Sequence, residues 1–316
     1  MELAGSPLNM KAQTSPLFTL IALIFFMLLL FILFGSGIGY VSYQLGQQQL
    51  AMQITQTALI ETKTPIIQTV VVSITAAPAA NDQPGGASTR PDMVLVTAGE
   101  FTMGSDAYTQ YSRPAHTISV DEFWIDKYEV RNLDYEKCIA AGACQPPSNS
   151  SSATRSSYFG NPQYDMFPVI FVSWNDANTY CKWLGRRLPT EAEWEKAARG
   201  SYQLNYPWGN DFDSNRVNSS EDGIGDTLPV NAHPNGASPY GALNMAGNVW
   251  EWVADWYDAD YYINSPGANP KGPDSGNFRV VRGGGYDNNQ YNVGTIIRSR
   301  ESPDFSSPDL GFRCAQ

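Results

Sequence analysis

Between residues 241 and 257 the chain reads GALNMAGNVWEWVADWY, which sets Asn244, Gly247 and Glu251 among three tryptophans, Trp250, Trp252 and Trp256. Asparagine and glutamate oxygens, with carbonyls turned outward around a glycine, are the ligands that a hard cation such as calcium takes. The stretch also reads as a tryptophan-rich core segment with polar turn residues, and composition alone does not choose between the two. Other residues that could do chemistry are sparse. The two histidines, His116 and His233, sit in RPAHTI and NAHPNG with no ligand spacing between them, so an iron site of two histidines and a carboxylate has no local support. No G-x-S-x-G nucleophile elbow occurs. Glu191, Glu193 and Glu195 could be an acidic catalytic cluster, but helix caps and a solvated helix face account for them better.

The elements that must position these residues are short. Residues 93–103 (MVLVTAGEFTM) hold two apolar runs around Ala98 and Gly99, a hairpin signal, and residues 118–130 form another strand-like run. Ser173 to Asp176 resembles a capping box, followed by Ala177, Tyr180, Cys181 and Leu184 at helical spacing, with Gly185 as the stop. Thr190 and Glu193 make a second box, with Trp194, Ala197 and Ala198 on one face and Gly200 at the end. From Tyr206 onward Gly, Pro, Asn, Asp and aromatics dominate. That composition predicts loops and short strands, which ions and disulfides commonly hold in place.

The two ends of the chain differ in kind. Residues 17–41 carry no charge and open with LFTLIALIFFMLLLFILF, long enough to cross a hydrocarbon core at about 20 residues. This predicts a single-pass signal anchor after a short cytoplasmic N-terminus at residues 1–16, with a cleaved signal peptide as the alternative. Residues 42–91, rich in Gln, Thr, Ala and Pro, read as a low-complexity stalk. Lys11, Lys63 and Arg90 balance Glu2, Glu61 and Asp82, so the net charge of −11 belongs entirely to residues 92–316. Nucleic acid is a poor partner for such a surface. All four cysteines lie beyond the apolar segment, and an even count there suits an extracytoplasmic, oxidising compartment.

The segments PVIFVSWNDANTYCKWLGRRLPTEAEWEKAARG, YPWGN, GALNMAGNVWEWVADWY, RVVRGGGY and GFRCAQ, in this order, resemble the formylglycine-generating enzyme (sulfatase-modifying factor) domain family over residues 92–316. The resemblance implies an α+β, C-type-lectin-like fold that is low in regular secondary structure, with two helices beside small twisted sheets. It implies structural calcium at Asn244, Gly247, Val249 and Glu251, and a first calcium site whose best matches are Asn218, Ser219, Asp222 and Ile224. An ordinary surface turn is the other reading of that first segment. The family also joins the cysteine of its first helix to that of its GFRC ending, here Cys181 and Cys314. Cys138 and Cys144 would then close a small local loop.

Active members oxidise a substrate cysteine to formylglycine, using two cysteines soon after an RGGS motif that bind copper(I). Soft thiolates select that ion. The equivalent residues 282–300, RGGGYDNNQYNVGTIIRSR, contain no cysteine, have Gly285 in place of the motif serine, and put Asn288 or a neighbour where the first active cysteine should fall. Copper and oxidase activity are therefore not expected, and an active oxidase is the alternative. The remaining class is a binding module. Tyr286, Asp287, Asn288, Asn289, Tyr291 and Asn292 combine aromatic area with adaptable hydrogen bonding and are candidates to line a face for an extracellular protein, peptide or glycan. Ordinary loop filling explains them equally well. Arg298 and Arg300 are expected to pair with internal carboxylates.

Overall fold

Three α-helices form in the computed structural model, which describes residues 92–107 and 110–316. They are α1 (Asn132–Ala140), α2 (Trp174–Trp183) and α3 (Glu191–Arg199). Both capping boxes close as expected. The Ser173 hydroxyl accepts from the Asp176 amide and the Asp176 carboxylate from the Ser173 amide, and Thr190 and Glu193 repeat the exchange. The sequence does not announce α1, because its N-cap residue Arg131 makes no side-chain cap bond. Burial of Asn132, Tyr135 and Cys138, with an Arg131–Asp134–Lys137 ion cluster on the outer side, holds it instead.

The expected hairpin within residues 93–103 is not there. β1 (Met93–Val96) pairs with β4 (Phe123–Asp126), and β2 (Gly99–Met103) pairs with β3 (His116–Val120). The register is continuous across the break, Val96 facing Phe123 and Gly99 facing Val120. Residues 93–103 are thus one arm of a long bent hairpin. Ala98 and Gly99 bend that arm instead of reversing it, and Gly99, at φ +140, supplies the irregular backbone. A four-stranded sheet follows in the order β7-β6-β5-β8: β5 (Trp250–Trp256), β6 (Arg279–Arg282), β7 (Arg298–Glu301) and β8 (Leu310–Phe312). Only β5–β8 is parallel.

One hydrophobic core joins the long hairpin to α3 and β5–β6 through residues such as Val96, Ile125, Trp194 and Val253. A second joins α1 and α2 to the other side of the sheet through Tyr135, Tyr180, Trp252 and Phe312. The helix α3 lies between hairpin and sheet, and all nine of its residues are buried. A solvated face for its glutamates is therefore ruled out. Glu193 does serve the cap, but Glu191 and Glu195 meet Arg282 of β6 at 3.0 and 2.7 Å, Arg298 of β7 at 2.8 Å (Glu191) and Arg199 at 3.0 Å (Glu195). Those partners are up to 107 residues away, which is why local sequence did not reveal them. Arg298 pairs inward as expected. Arg300 does not; its guanidinium sits over the Tyr257 and Phe278 rings at 4.7 and 5.7 Å.

Both disulfides form, Cys138–Cys144 and Cys181–Cys314, and they consume every cysteine of the chain. The second closes a 133-residue separation, worth about 4–5 kcal/mol in the chain-entropy account. Among the described residues no helix is long and apolar enough to cross a membrane. The expected cytoplasmic segment (1–16), anchor (17–41) and stalk (42–91) lie outside the described residues.

Candidate functional site

The turn before β5 carries Asn244, Gly247 and Val249, and β5 itself carries Glu251. Asn244, Gly247 and Asn248 have φ of 53, 72 and 64. Gly247 tolerates no side chain, since a Cβ there would collide with the Asn218 carbonyl and the Val217 side chain. Glu251 is fully buried and takes three donors. Arg313 grips it with Nη2 on Oε1 at 2.6 Å and Nε on Oε2 at 2.7 Å, and Trp194 Nε1 adds a bond to Oε2 at 2.8 Å. Asn244 and Asn248 each donate at 2.8 Å to Glu129, a buried carboxylate that the sequence did not single out. Burial pushes the Glu129 carboxyl up to about 7, against the pull of Arg313 and with the help of Glu251. The turn thus gathers Glu129, Glu251 and Arg313, leaving one negative charge uncompensated when both acids are ionised. That charge balance fits a cation, although Glu251 directs most of its lone pairs at Arg313 and Trp194.

The first loop fits a hard cation through its donor types. Asn218 is 1% exposed, its amide donates to Asp226 O and Asn248 Oδ1, and its Oδ1 has no partner. The adjacent Ser219 amide reaches Asp222 Oδ2 at 3.3 Å, and Ile224 N donates to Asp222 Oδ1 at 3.0 Å. Amide, carboxylate and carbonyl oxygens are calcium's preferred set. Among the described residues no group of three His, Cys, Asp or Glu could hold a metal, so amide and carbonyl oxygens would have to carry much of the coordination. Asp226 anchors the loop from below. Burial raises its pKa, but bonds from Ser152, Thr154 and the Thr227 amide outweigh that and hold it below the usual range.

The two loops converge on residues 285–292. Asn248 N bonds to Asn218 O, and Tyr286 N bonds to Asn248 O. Asn288 closes its own turn: its Oδ1 accepts from Gly285 N at 2.9 Å and its amide donates to Gly285 O at 3.0 Å. Asn289 Oδ1 likewise accepts from the Tyr291 amide at 3.1 Å and from Asn292 Nδ2 at 3.3 Å. Of the six candidate residues, Asp287, Asn289, Tyr291 (65%) and Asn292 are exposed, and Asn288 is half-buried. Tyr286 is not part of an exposed face, because it is 4% exposed and its burial raises the hydroxyl pKa well above the usual value.

A groove of about 190 Å³ lined by Trp250, Glu301, Phe305 and Asp309 opens over the four-stranded sheet. A side chain at Gly285 would press on Asp309 and Asp287 at 3.1 to 3.4 Å. No thiol is available anywhere here. The two histidines stay apart in separate structural roles, His116 Nδ1 bonding with Pro114 O and His233 Nδ1 with Asn215 O.

Comparison with known proteins gives this geometry a context. The family profile described as "Sulfatase-modifying factor enzyme 1-like domain" matches residues 79–316. A protein of Bos taurus named formylglycine-generating enzyme is 35% identical over 292 residues, covering 73% of this chain and 76% of its own length. A Mus musculus protein named inactive C-alpha-formylglycine-generating enzyme 2 is 34% identical over 280 residues, covering 71% and 85%. Among solved structures, PvdO from Pseudomonas aeruginosa superposes with a TM-score of 0.61 at 26% identity, over 71% of this chain and 93% of that one.

Proposed function

The chain belongs to the sulfatase-modifying factor family of formylglycine-generating-enzyme-like domains, and on that footing we propose that it is a binding member without oxidase activity. One observation carries the reading: all four cysteines are locked in disulfides, and the expected place of the active thiol, Asn288 or a neighbour, holds no cysteine, Asn288 itself closing a turn onto Gly285 with its side chain. A hard amide oxygen does not replace a thiolate on copper(I). Relatives of similar identity carry names of both kinds, formylglycine-generating enzyme and its inactive paralogue, so catalysis does not follow from family membership.

In this reading residues 17–41 anchor the protein in a membrane and residues 42–91 hold the domain away from it, on the extracytoplasmic side. The exposed face around Asp287, Asn289, Tyr291 and Asn292, with Asn288 beneath it, binds a protein, peptide or glycan. Calcium occupies the Asn218–Ser219–Asp222–Ile224 loop and the turn of Asn244, Gly247, Val249 and Glu251, where it supplies positive charge and ties loops together. The net charge of −11 supports cation binding and disfavours nucleic acid.

The test is incubation of the full chain, in detergent, with copper, reductant, oxygen and a Cys-x-Pro-x-Arg peptide, followed by mass spectrometry. An unchanged thiol mass is expected. Conversion to the aldehyde would replace the binding reading by the oxidase one, the reading that the bovine relative's name favours.

A further inference from the structure

Two hydrogen bonds run between the first cation loop and the candidate face, and neither was visible in the sequence. Gln290 N donates to Glu221 Oε1 at 2.8 Å, and Ser220 N donates to Asn288 O at 3.0 Å. Glu221 uses its other oxygen inside the cation loop, where Oε2 accepts from Ser219 Oγ at 3.0 Å and from Ser220 Oγ at 3.4 Å. One carboxylate therefore grips the loop with one oxygen and the face with the other. Its neighbour Asp222 binds the Ser219 amide and the Ile224 amide. Two adjacent acids, with the unpartnered buried oxygen of Asn218 one residue before Ser219, make a loop whose arrangement a cation would fix.

We propose that Glu221 is a positioning residue that makes the shape of the Asp287–Asn292 face depend on calcium in the Asn218–Asp222 loop. The inference rests on the calcium and binding-face readings above and adds the coupling between them. Without the cation, like-charge repulsion between Glu221 and Asp222 spreads the loop, Glu221 leaves the Gln290 amide, and the face loses its register. With the cation, the loop closes and both cross-loop bonds form. The Gln290 contact is exposed to solvent, so each bond carries a modest weight and the coupling is graded.

The experiment is hydrogen exchange with mass spectrometry on the full chain in detergent, with calcium chloride or with EGTA, following peptides that contain Ser220 and Gln290. Calcium is expected to slow exchange at Gln290 by about fivefold, the equilibrium weight of one net hydrogen bond. Glu221→Ala is expected to abolish that slowing while keeping the rise in melting temperature with calcium. Glu221→Gln, whose amide oxygen still accepts but carries no charge to repel Asp222, is expected to keep exchange at Gln290 slow with or without calcium. A calcium-dependent melting temperature with unchanged exchange at Gln290, or slowing that survives in Glu221→Ala, would overturn the coupling and leave the calcium site standing. No response of either quantity to calcium would sink both.

Discussion

Two buried clusters of acids and arginines adjoin β5, and they are balanced differently. Around α3, Glu191 and Glu195 pair with Arg199, Arg282 and Arg298, while the neighbouring Asp255 makes no ion pair among the described residues and burial, with Glu191, pushes its carboxyl well above the ordinary range. Burial alone would raise the Glu195 carboxyl, but Arg282 and Arg199 hold it below the ordinary range. Beneath the Asn244 turn, Glu129 and Glu251 have only Arg313, and Glu129 is pushed up to about 7. A closed cluster locks a scaffold, because each charge has already met its partner. An open one leaves a place for a proton or a cation.

The contrast is broken most directly by Glu195→Gln. Arg282 and Arg199 would then keep two buried charges with one counter-ion fewer, a change that costs about 3–5 kcal/mol. Urea denaturation at neutral pH should show that loss. A change below about 1 kcal/mol would mean that the cluster is not closed as described.

Next in size is the pH dependence contributed by Asp126 of β4, which pairs with Arg186 at 2.6 Å. Burial raises its carboxyl from 3.8 to about 6, although Arg186 opposes the shift. The folded state therefore keeps a proton that the unfolded chain releases. This contribution is fully present below pH 4 and is lost as pH rises to about 6, a decline on the order of 3 kcal/mol. Asp126→Asn should flatten the stability curve in that window relative to the unmodified chain. An identical pH profile for the two proteins would count against it.

Glu129→Gln sharpens the comparison, because it makes the same substitution in the open cluster. At pH 8 and without calcium, the unmodified chain holds an ionised carboxylate there with no cation of its own. Removing that charge offsets the one asparagine hydrogen bond that the glutamine nitrogen cannot accept, so stability should change by less than about 1 kcal/mol. The response of the melting temperature to calcium should shrink. A loss as large as that of Glu195→Gln would erase the distinction between the clusters.

The legibility of these regions in the sequence follows from distance along the chain. Both capping boxes were readable because Ser173–Asp176 and Thr190–Glu193 are local signals. The Asn244–Glu251 motif was readable as a polar turn within a tryptophan core, and its residues do occupy one turn and the strand after it. Glu129, Glu221 and Arg313 were not, since the partners that give them their roles, Asn248, Gln290 and Glu251, lie 62 to 119 residues away. The helix α1 was missed because burial holds it without a side-chain cap. The bent hairpin was misread because a glycine bend and a glycine turn look alike until the pairing strand is known. Tyr286 was misplaced for a similar reason: aromatic and amide residues in a loop give no periodicity to separate the buried ring from the exposed one.

That last distinction can be tested with the smallest change of all. Tyr291 is 65% exposed, and its only hydrogen bond in the described structure comes from its backbone amide, so Tyr291→Ala should alter stability by no more than about 0.5 kcal/mol. Tyr286 sits under the loop and should cost several times more when truncated, as buried aromatic rings do, about 3–5 kcal/mol. The two substitutions separate a residue that packs from one that is free to contact a ligand. Melting curves of both variants decide it. If Tyr291→Ala destabilises as much as Tyr286→Ala, the loop is filled by its own side chains and offers no binding face. If it leaves stability unchanged, that exposed ring remains available for contact, which the closed cluster around α3 cannot offer.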